Sequence, residues 1–174
     1  GAILPVRDVA LKEKVPMMVL VATADEIVAQ PNGYIYRAFL PGSYDGEIIA
    51  NFIATNPKMK KIAVVGNTDA VANVRYPKLE ESIKANNLEY LGLEPLEVEA
   101  TDATAQVLKV KSLNPDAIVL VARPEASAVF LKDASKLGLD VPVFGSTLVD
   151  LQDLLDRVGD PKPVANVNVV SFYK

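Results

Sequence analysis

The segment Asn114-Pro-Asp-Ala-Ile-Val-Leu-Val-Ala-Arg123, with Pro124 behind it, decides the fold. Proline disfavours helical backbone at the residue before it, so Asn114-Pro115 stops the stretch Ala103 to Leu113, whose Val107, Leu108 and Val110 spacing predicts a helix. Asp116 to Val121 then runs apolar without alternation, as expected of a strand buried on both faces of a parallel sheet. Pro124 suits a first helical turn, and the helix it opens is expected to reach Leu137, with Gly138 as its stop.

Working outward, the same alternation repeats. Towards the C-terminus come a strand at Val141 to Phe144, a helix at Leu148 to Val158 and a last strand at Val167 to Phe172. Towards the N-terminus come a strand at Leu91 to Val98 interrupted by Pro95, a helix at Tyr76 to Asn86 with Leu79 and Ile83 on one face, and a strand at Ile62 to Gly66. The class is α/β: a Rossmann-like parallel sheet flanked by helices, with five strands and four helices. Ahead of this block lie a helix around Val6 to Lys14, strands at Met17 to Val21 and Tyr34 to Phe39, and a helix at Asp45 to Ala54. Two strands and a short helix bury little by themselves, so residues 1–42 are expected to belong to a sheet completed from elsewhere, with Pro41-Gly42-Ser43 as the crossover into a main unit of residues 43–174.

Composition narrows the function. With 174 residues, 50% of them apolar, the chain can bury one sizeable core. A net charge of −4 without any dense Lys/Arg cluster argues against nucleic acid as a partner, since that binding depends on neutralising phosphates. Absence of cysteine removes thiolate sites and disulfides, and absence of histidine removes His-based triads and most metal-hydrolase sites. Neither a Gly-x-Gly-x-x-Gly nor a Gly-Lys-Thr/Ser motif occurs, and Asp102, Asp116, Glu125 and Asp150 fall on separate loops, where solvated surface is their expected place. No cofactor or metal is therefore expected. The sequence opens at Gly1 with no export signal, as an excised piece would.

In an open parallel sheet, ligands bind at the carboxyl ends of strands, so the residues just after each strand are the candidates. They are Ala22-Thr23, Asn67-Thr68-Asp69, Thr101-Asp102, Arg123-Pro124-Glu125 and Ser146-Thr147. From these, Thr23, Thr68, Arg123, Ser146 and Thr147 are taken as ligand-binding candidates. Each polar residue could instead cap a helix, and the spacing of Ser146 and Thr147 to Asp150 fits a capping box. Thr23 has no strong helix after it, which favours a ligand. Arg123 would grip a carboxylate through paired hydrogen bonds, or else pair with Glu125 or Asp102 at the surface.

The segments Lys14-Val-Pro-Met-Met-Val-Leu-Val-Ala-Thr-Ala-Asp25, Gly33-Tyr-Ile-Tyr-Arg-Ala-Phe39 and Asp45-Gly46 resemble the extracellular ligand-binding receptor family, the type I periplasmic binding proteins of branched-chain amino-acid ABC transporters. Lys61-Ile-Ala-Val-Val65, Ala100-Thr-Asp-Ala-Thr-Ala-Gln106, Asn114-Pro-Asp-Ala-Ile-Val119 and Leu137-Gly-Leu-Asp-Val-Pro-Val143 follow that family in order. The resemblance spans nearly the whole chain. It implies a remnant of the first lobe at residues 1–42, a second lobe at 43–174, and a small solute held between two closing lobes without catalysis. It further implies a periplasmic or extracytoplasmic location and an ABC permease as partner of the parent protein. A homodimer through strand edges exposed around Met17 to Phe39 is also expected. By motif position Thr23 would be a first-lobe contact, while Arg123 and Thr147 would face the cleft from the second lobe. Amino-acid binders of the family carry an aromatic residue near Arg123 and an acidic one near Thr147; this sequence has neither close by, so an anionic organic or aromatic acid is the expected solute. The family's Tyr-Gly after the strand at Ile62 to Val65 is replaced by Asn67-Thr-Asp-Ala-Val-Ala72. The same architecture serves ligand-sensing domains of receptors and transcription regulators, which is the alternative reading.

Overall fold

The computed structural model describes residues 3–20, 22–29 and 32–171. Val21 and Phe172, the ends of two expected strands, lie outside the described residues. In chain order the elements are α1 (Ile3–Lys12), β1 (Met17–Val19), a 3-10 turn (Asp25–Val28), β2 (Ile35–Arg37), α2 (Ser43–Ala54), β3 (Lys61–Gly66), α3 (Ala70–Asn73), α4 (Tyr76–Ala85), β4 (Glu89–Pro95), α5 (Thr104–Ser112), β5 (Ala117–Val121), α6 (Pro124–Lys136), β6 (Val143–Gly145), α7 (Leu151–Val158), a 3-10 turn (Lys162–Val164) and β7 (Val167–Val169).

The unbroken apolar strands are explained by a core on each side of the sheet. Among the described residues, five strands pair in parallel in the order β4-β3-β5-β6-β7. In β3 and β5, Ile62, Val64, Ala117, Val119 and Val121 join one core cluster, together with Ile49 and Ile53 of α2 and Leu79 and Ile83 of α4. Ala63, Val65, Ile118 and Leu120 face the opposite way, into a cluster with Val107 of α5, Phe130 and Leu131 of α6 and Leu154 of α7. A strand whose residues of both parities are buried has no polar face to display. α2 lies so close on α4 that a Cβ at Gly46 would sit 2.7 Å from the Leu79 Cα.

β1 and β2 form a separate parallel pair, with Met18 opposite Tyr36. Val19, Ile27 and Ile35 form a small core beneath it, packed by Leu4 and Leu11 of α1. Met18 and Tyr36 themselves are 60% and 52% exposed.

Several boundaries differ from expectation. The helix read from Leu148 begins at Leu151, because Asp150 is its N-cap and accepts from the Asp153 N–H at 2.8 Å; Ser146 and Thr147 are not part of a capping box there. Pro95 ends β4 rather than interrupting a strand that continues to Val98, consistent with its missing N–H. α1 starts and ends earlier than read, and Lys14 turns the chain at φ 56°. The short α3 and both 3-10 turns have no periodicity that sequence reading detects.

Candidate functional site

The strand order places a topological switch between β3 and β5: their onward connections run to opposite edges, and their carboxyl ends open a crevice. Gly66 is what lets the chain leave β3 here. A Cβ at that position would lie 2.3 Å from the Tyr76 hydroxyl oxygen and 2.4 Å from the Val121 carbonyl. Asn67 follows, fully buried, and joins three strand ends. Its backbone N–H donates to the Val121 carbonyl at 3.0 Å, its Nδ2 to the Leu96 carbonyl at 2.8 Å, and its Oδ1 accepts from the Arg123 N–H at 2.8 Å. The Tyr76 hydroxyl donates to the Asn67 carbonyl at 2.5 Å. Burial first, and then the negative charge of Asp69, push the Tyr76 phenol well above its ordinary range, so it stays a neutral donor.

On this platform stands Arg123, at the N-cap position of α6 with extended backbone. Its Nη2 and Nε reach Asp69 Oδ2 at 2.6 and 3.1 Å. The side chains of Arg123 and Asp69 are 41% and 27% exposed. Asp69 also caps α3, accepting from the Ala72 N–H at 2.9 Å. Burial raises the Asp69 carboxyl, but the Ala72 N–H, the Arg123 guanidinium and the Val71 N–H outweigh it and hold the group below its usual range. Arg123 is thus a cation held in place by its own counter-ion. That counter-ion is neither Glu125, which pairs with Arg157 at 2.9 Å, nor Asp102, which accepts from the Thr104 hydroxyl and N–H.

Thr147, at the carboxyl end of β6, belongs to a second polar group. Its hydroxyl donates to Asp45 Oδ2 at 2.6 Å, and its backbone N–H reaches the same oxygen at 3.2 Å. Arg75 Nε donates to that oxygen at 2.9 Å, and Arg75 also donates to the Val71 carbonyl. The side chains of Asp45 and Arg75 are 1% and 2% exposed. An acidic group therefore does stand beside Thr147; it comes from α2, far away in sequence, and is already neutralised by a guanidinium. Ser146 is fully buried, where its Oγ accepts from the Leu148 N–H at 3.3 Å. Thr68 is exposed, and its carbonyl accepts from Asn73 Nδ2 at 2.8 Å.

Thr23 is half-buried and followed by the 3-10 turn, and its carbonyl accepts from the Gly42 N–H at 2.9 Å. Gly42 in turn lies against the guanidinium: a Cβ there would be 3.2 Å from Arg75 Cζ. Thr23, the crossover, Arg75, Asp45 and Thr147 thus form one connected path.

One other expectation changes. Asp116 is not simply solvated, since its carboxylate accepts from the Lys60 and Lys61 N–H groups, each at 2.8 Å, and so pins the start of β3. Asp150 is exposed as expected, and from the surface it also caps α7. Sequence reading missed Asp45, Asp69 and Arg75; Asp69 alone stood within a quoted strand-end segment. Among the described residues no acidic group is assembled to hold a metal ion, and no helix is long and apolar enough to cross a membrane. A cavity of about 290 Å³ adjoins Thr147, lined also by Phe39, Val149 and Val169. Three larger cavities, about 390, 530 and 380 Å³, lie at the amino end of the sheet beside Gly138, between α2 and β6–β7 beside Phe52, and beside Asp25, Ser43 and Lys78; none of these holds a candidate site residue.

The chain is thus an α/β protein with a parallel five-stranded sheet flanked by helices and polar residues gathered at its switch point. The family model for periplasmic binding proteins matches residues 1–173, and the chain belongs to that family. Its fold is similar to a branched-chain amino-acid ABC transporter protein from Thermus thermophilus solved with bound valine, with a TM-score of 0.81 at 21% identity over 92% of this chain and 42% of that one. It is similar also to a putative branched-chain amino-acid ABC transporter protein from Rhodospirillum rubrum, TM-score 0.82 at 19% identity over 92% of this chain and 45% of that one. A solute-binding protein of an ABC transporter from Rhodopseudomonas palustris BisB5, in complex with 3,4-dihydroxybenzoic acid, matches with a TM-score of 0.67 at 24% identity over 83% of this chain and 40% of that one. The chain spans less than half the length of these relatives.

Proposed function

We propose that residues 43–174 are the second lobe of a solute-binding protein serving an ABC-type uptake system, and that residues 1–42 are a remnant of its first lobe with the crossover. The parent captures a small organic carboxylate or amino-acid-like solute between two lobes, makes and breaks no bond, and delivers the solute to a membrane permease from a periplasmic or extracytoplasmic location. The observation that carries this reading is Arg123: a half-exposed guanidinium at the switch point, fixed through Asp69 and through Asn67. Asp69 occupies Nε and one side of Nη2, which leaves Nη1 and the remaining Nη2 proton for a ligand carboxylate. Thr147 borders the same carboxyl edge, and Thr23 approaches from the strip through the crossover. Valine and 3,4-dihydroxybenzoic acid, bound by two structural relatives, both carry a carboxylate. The open pair β1–β2 also supports association of two copies through its uncovered strand edges.

Calorimetric titration of the wild-type chain and of Arg123→Ala against a panel of amino acids, aliphatic acids and aromatic acids tests the reading. Charge-assisted hydrogen bonds contribute about 1.5–3 kcal/mol, so Arg123→Ala is expected to weaken carboxylate binding by roughly 10- to 100-fold. Unchanged affinity in the variant would remove Arg123 from the site.

A further inference from the structure

We infer that Asn32-Gly33 is a self-modification site: Asn32 loses its side-chain ammonia through an imide formed with Gly33, the turn that opens β2 promotes the reaction, and the isoaspartyl product releases the start of that strand.

Asparagine is among the thermolabile residues. Its amide is lost when the next backbone nitrogen attacks Cγ, and a side chain on that next residue hinders the approach. Asn32 alone among the asparagines of the sequence is followed by glycine. Gly33 is exposed at φ 74°, and among the described residues beyond its chain neighbours no heavy atom lies within 4 Å of where its Cβ would stand. Asp45-Gly46 is the acidic counterpart and shows what prevents such chemistry. Both residues are buried in α2, Gly46 is pressed against Leu79, and the Asp45 carboxylate is held by Arg75 and Thr147.

The backbone around Asn32 also activates its amide. Oδ1 accepts from the Tyr34 N–H at 2.9 Å and from the Ile35 N–H at 2.8 Å. Two backbone donors aimed at one carbonyl oxygen withdraw electron density from Cγ and stabilise the negative charge that the oxygen gains during attack, as an oxyanion hole does. Gly33 N gives its proton to solvent base and bonds to Cγ. The Cγ–Nδ2 bond then breaks, and Nδ2 takes up a proton and leaves as ammonia. Water opens the imide, at Cγ to give aspartate, or at the main-chain carbonyl carbon of residue 32 to give isoaspartate. One water is consumed and one ammonia released, with no oxidant or cofactor.

The two products differ in what they do to β2. Aspartate keeps an oxygen for the Tyr34 and Ile35 N–H groups. Isoaspartate routes the main chain through Cγ, which lengthens it and takes Oδ1 away from those donors. They stand where the strip is assembled: the Met17 N–H donates to the Tyr34 carbonyl at 2.8 Å, and Ile35 pairs with Met17 and lies in the small core with Val19. Isoaspartate at position 32 therefore loosens β1–β2 and leaves the five-stranded sheet unchanged.

The test incubates the wild-type chain in mildly alkaline buffer, folded and in parallel unfolded in urea, and follows Asn32 by peptide mass mapping with fragmentation that separates aspartate from isoaspartate. Folding ordinarily slows this reaction by holding the asparagine rigid. Here the folded chain is expected to lose ammonia at Asn32 at least as fast as the unfolded one, with Asn67 unmodified. A slower rate at Asn32 in the folded chain overturns the promoting role of the turn. Amide hydrogen exchange at Tyr34 and Ile35 is then compared between the isoaspartyl fraction and the wild-type chain, and is expected to quicken by about tenfold, the scale of one lost backbone hydrogen bond. Asn32→Asp, which keeps the acceptor, is expected to exchange as wild type does. Unchanged exchange in the isoaspartyl fraction, or equally fast exchange in Asn32→Asp, overturns the release of β2. The comparison of rates uses the wild-type chain alone, so it decides even where Asn32→Asp does not fold.

Discussion

At the scale of single residues, burial separates the ion pairs that matter to stability from those that do not. Removing one partner of a buried pair leaves an uncompensated charge in a medium that solvates it poorly, which costs about 3–5 kcal/mol, whereas an exposed pair contributes about 0–1 kcal/mol. Arg75→Ala strands the Asp45 carboxylate beneath Thr147 and is expected to lower the unfolding free energy by about 3–5 kcal/mol in urea titration. Lys84→Ala, which ends an exposed pair with Glu80, should change it by less than about 0.5 kcal/mol. A cost for Arg75→Ala as small as that for Lys84→Ala would mean that Asp45 is solvated and does not fix Thr147. Little of this was legible beforehand: Arg123 and Thr147 stood out because they follow strands, but nothing in a linear sequence ties Thr147 to an aspartate 102 positions earlier.

At the scale of elements, the start of α5 is held by another helix. The Ala103 N–H donates to Asp133 Oδ2 of α6 at 2.9 Å, and Lys136 pairs with the other oxygen. Burial raises the Asp133 carboxyl, but the Ala103 N–H and Lys136 together lower it below the usual 3.8. A carboxyl with a lowered folded pKa contributes stability that is fully present above its unfolded value, and this contribution is lost as the pH falls through the folded value. Asp69 has the same sign. Urea midpoints are therefore expected to be flat down to about pH 4 as far as these two groups are concerned, and to fall below it. Asp133→Asn keeps an acceptor for Ala103 and should flatten part of that acid limb; an acid limb identical to wild type would remove Asp133 from this role. The helices and strands themselves were largely readable, because periodicity and Pro/Gly punctuation are local properties. The start of α7 was not, because Ser146 and Thr147 are equally good caps in sequence and only the burial of Ser146 and the partners of the two, Leu148 and Asp45, exclude them from that role.

At the scale of the whole molecule, the five-stranded sheet is covered on both faces, whereas the β1–β2 pair leaves Met18 and Tyr36 open to solvent. Open strand edges and uncovered apolar residues favour association. The mass measured by sedimentation is expected to rise with concentration, and a charge at Tyr36→Lys to return it towards the monomer; a mass independent of concentration would count against association through this pair.

The sequence by itself determined the order of strands and helices, the parallel doubly covered sheet and the family, because each of these is written in short-range patterns of apolar residues, turns and caps. Only the tertiary structure decided the electrostatic character of the site. Arg123 meets Asp69 across the switch point, and Thr147 has its proton drawn inward by Asp45 and Arg75. The direction of a hydrogen bond depends on which groups the folded backbone brings within 3 Å of one another, and that distance is set by the packing of α2, α4 and the strand ends rather than by spacing along the chain.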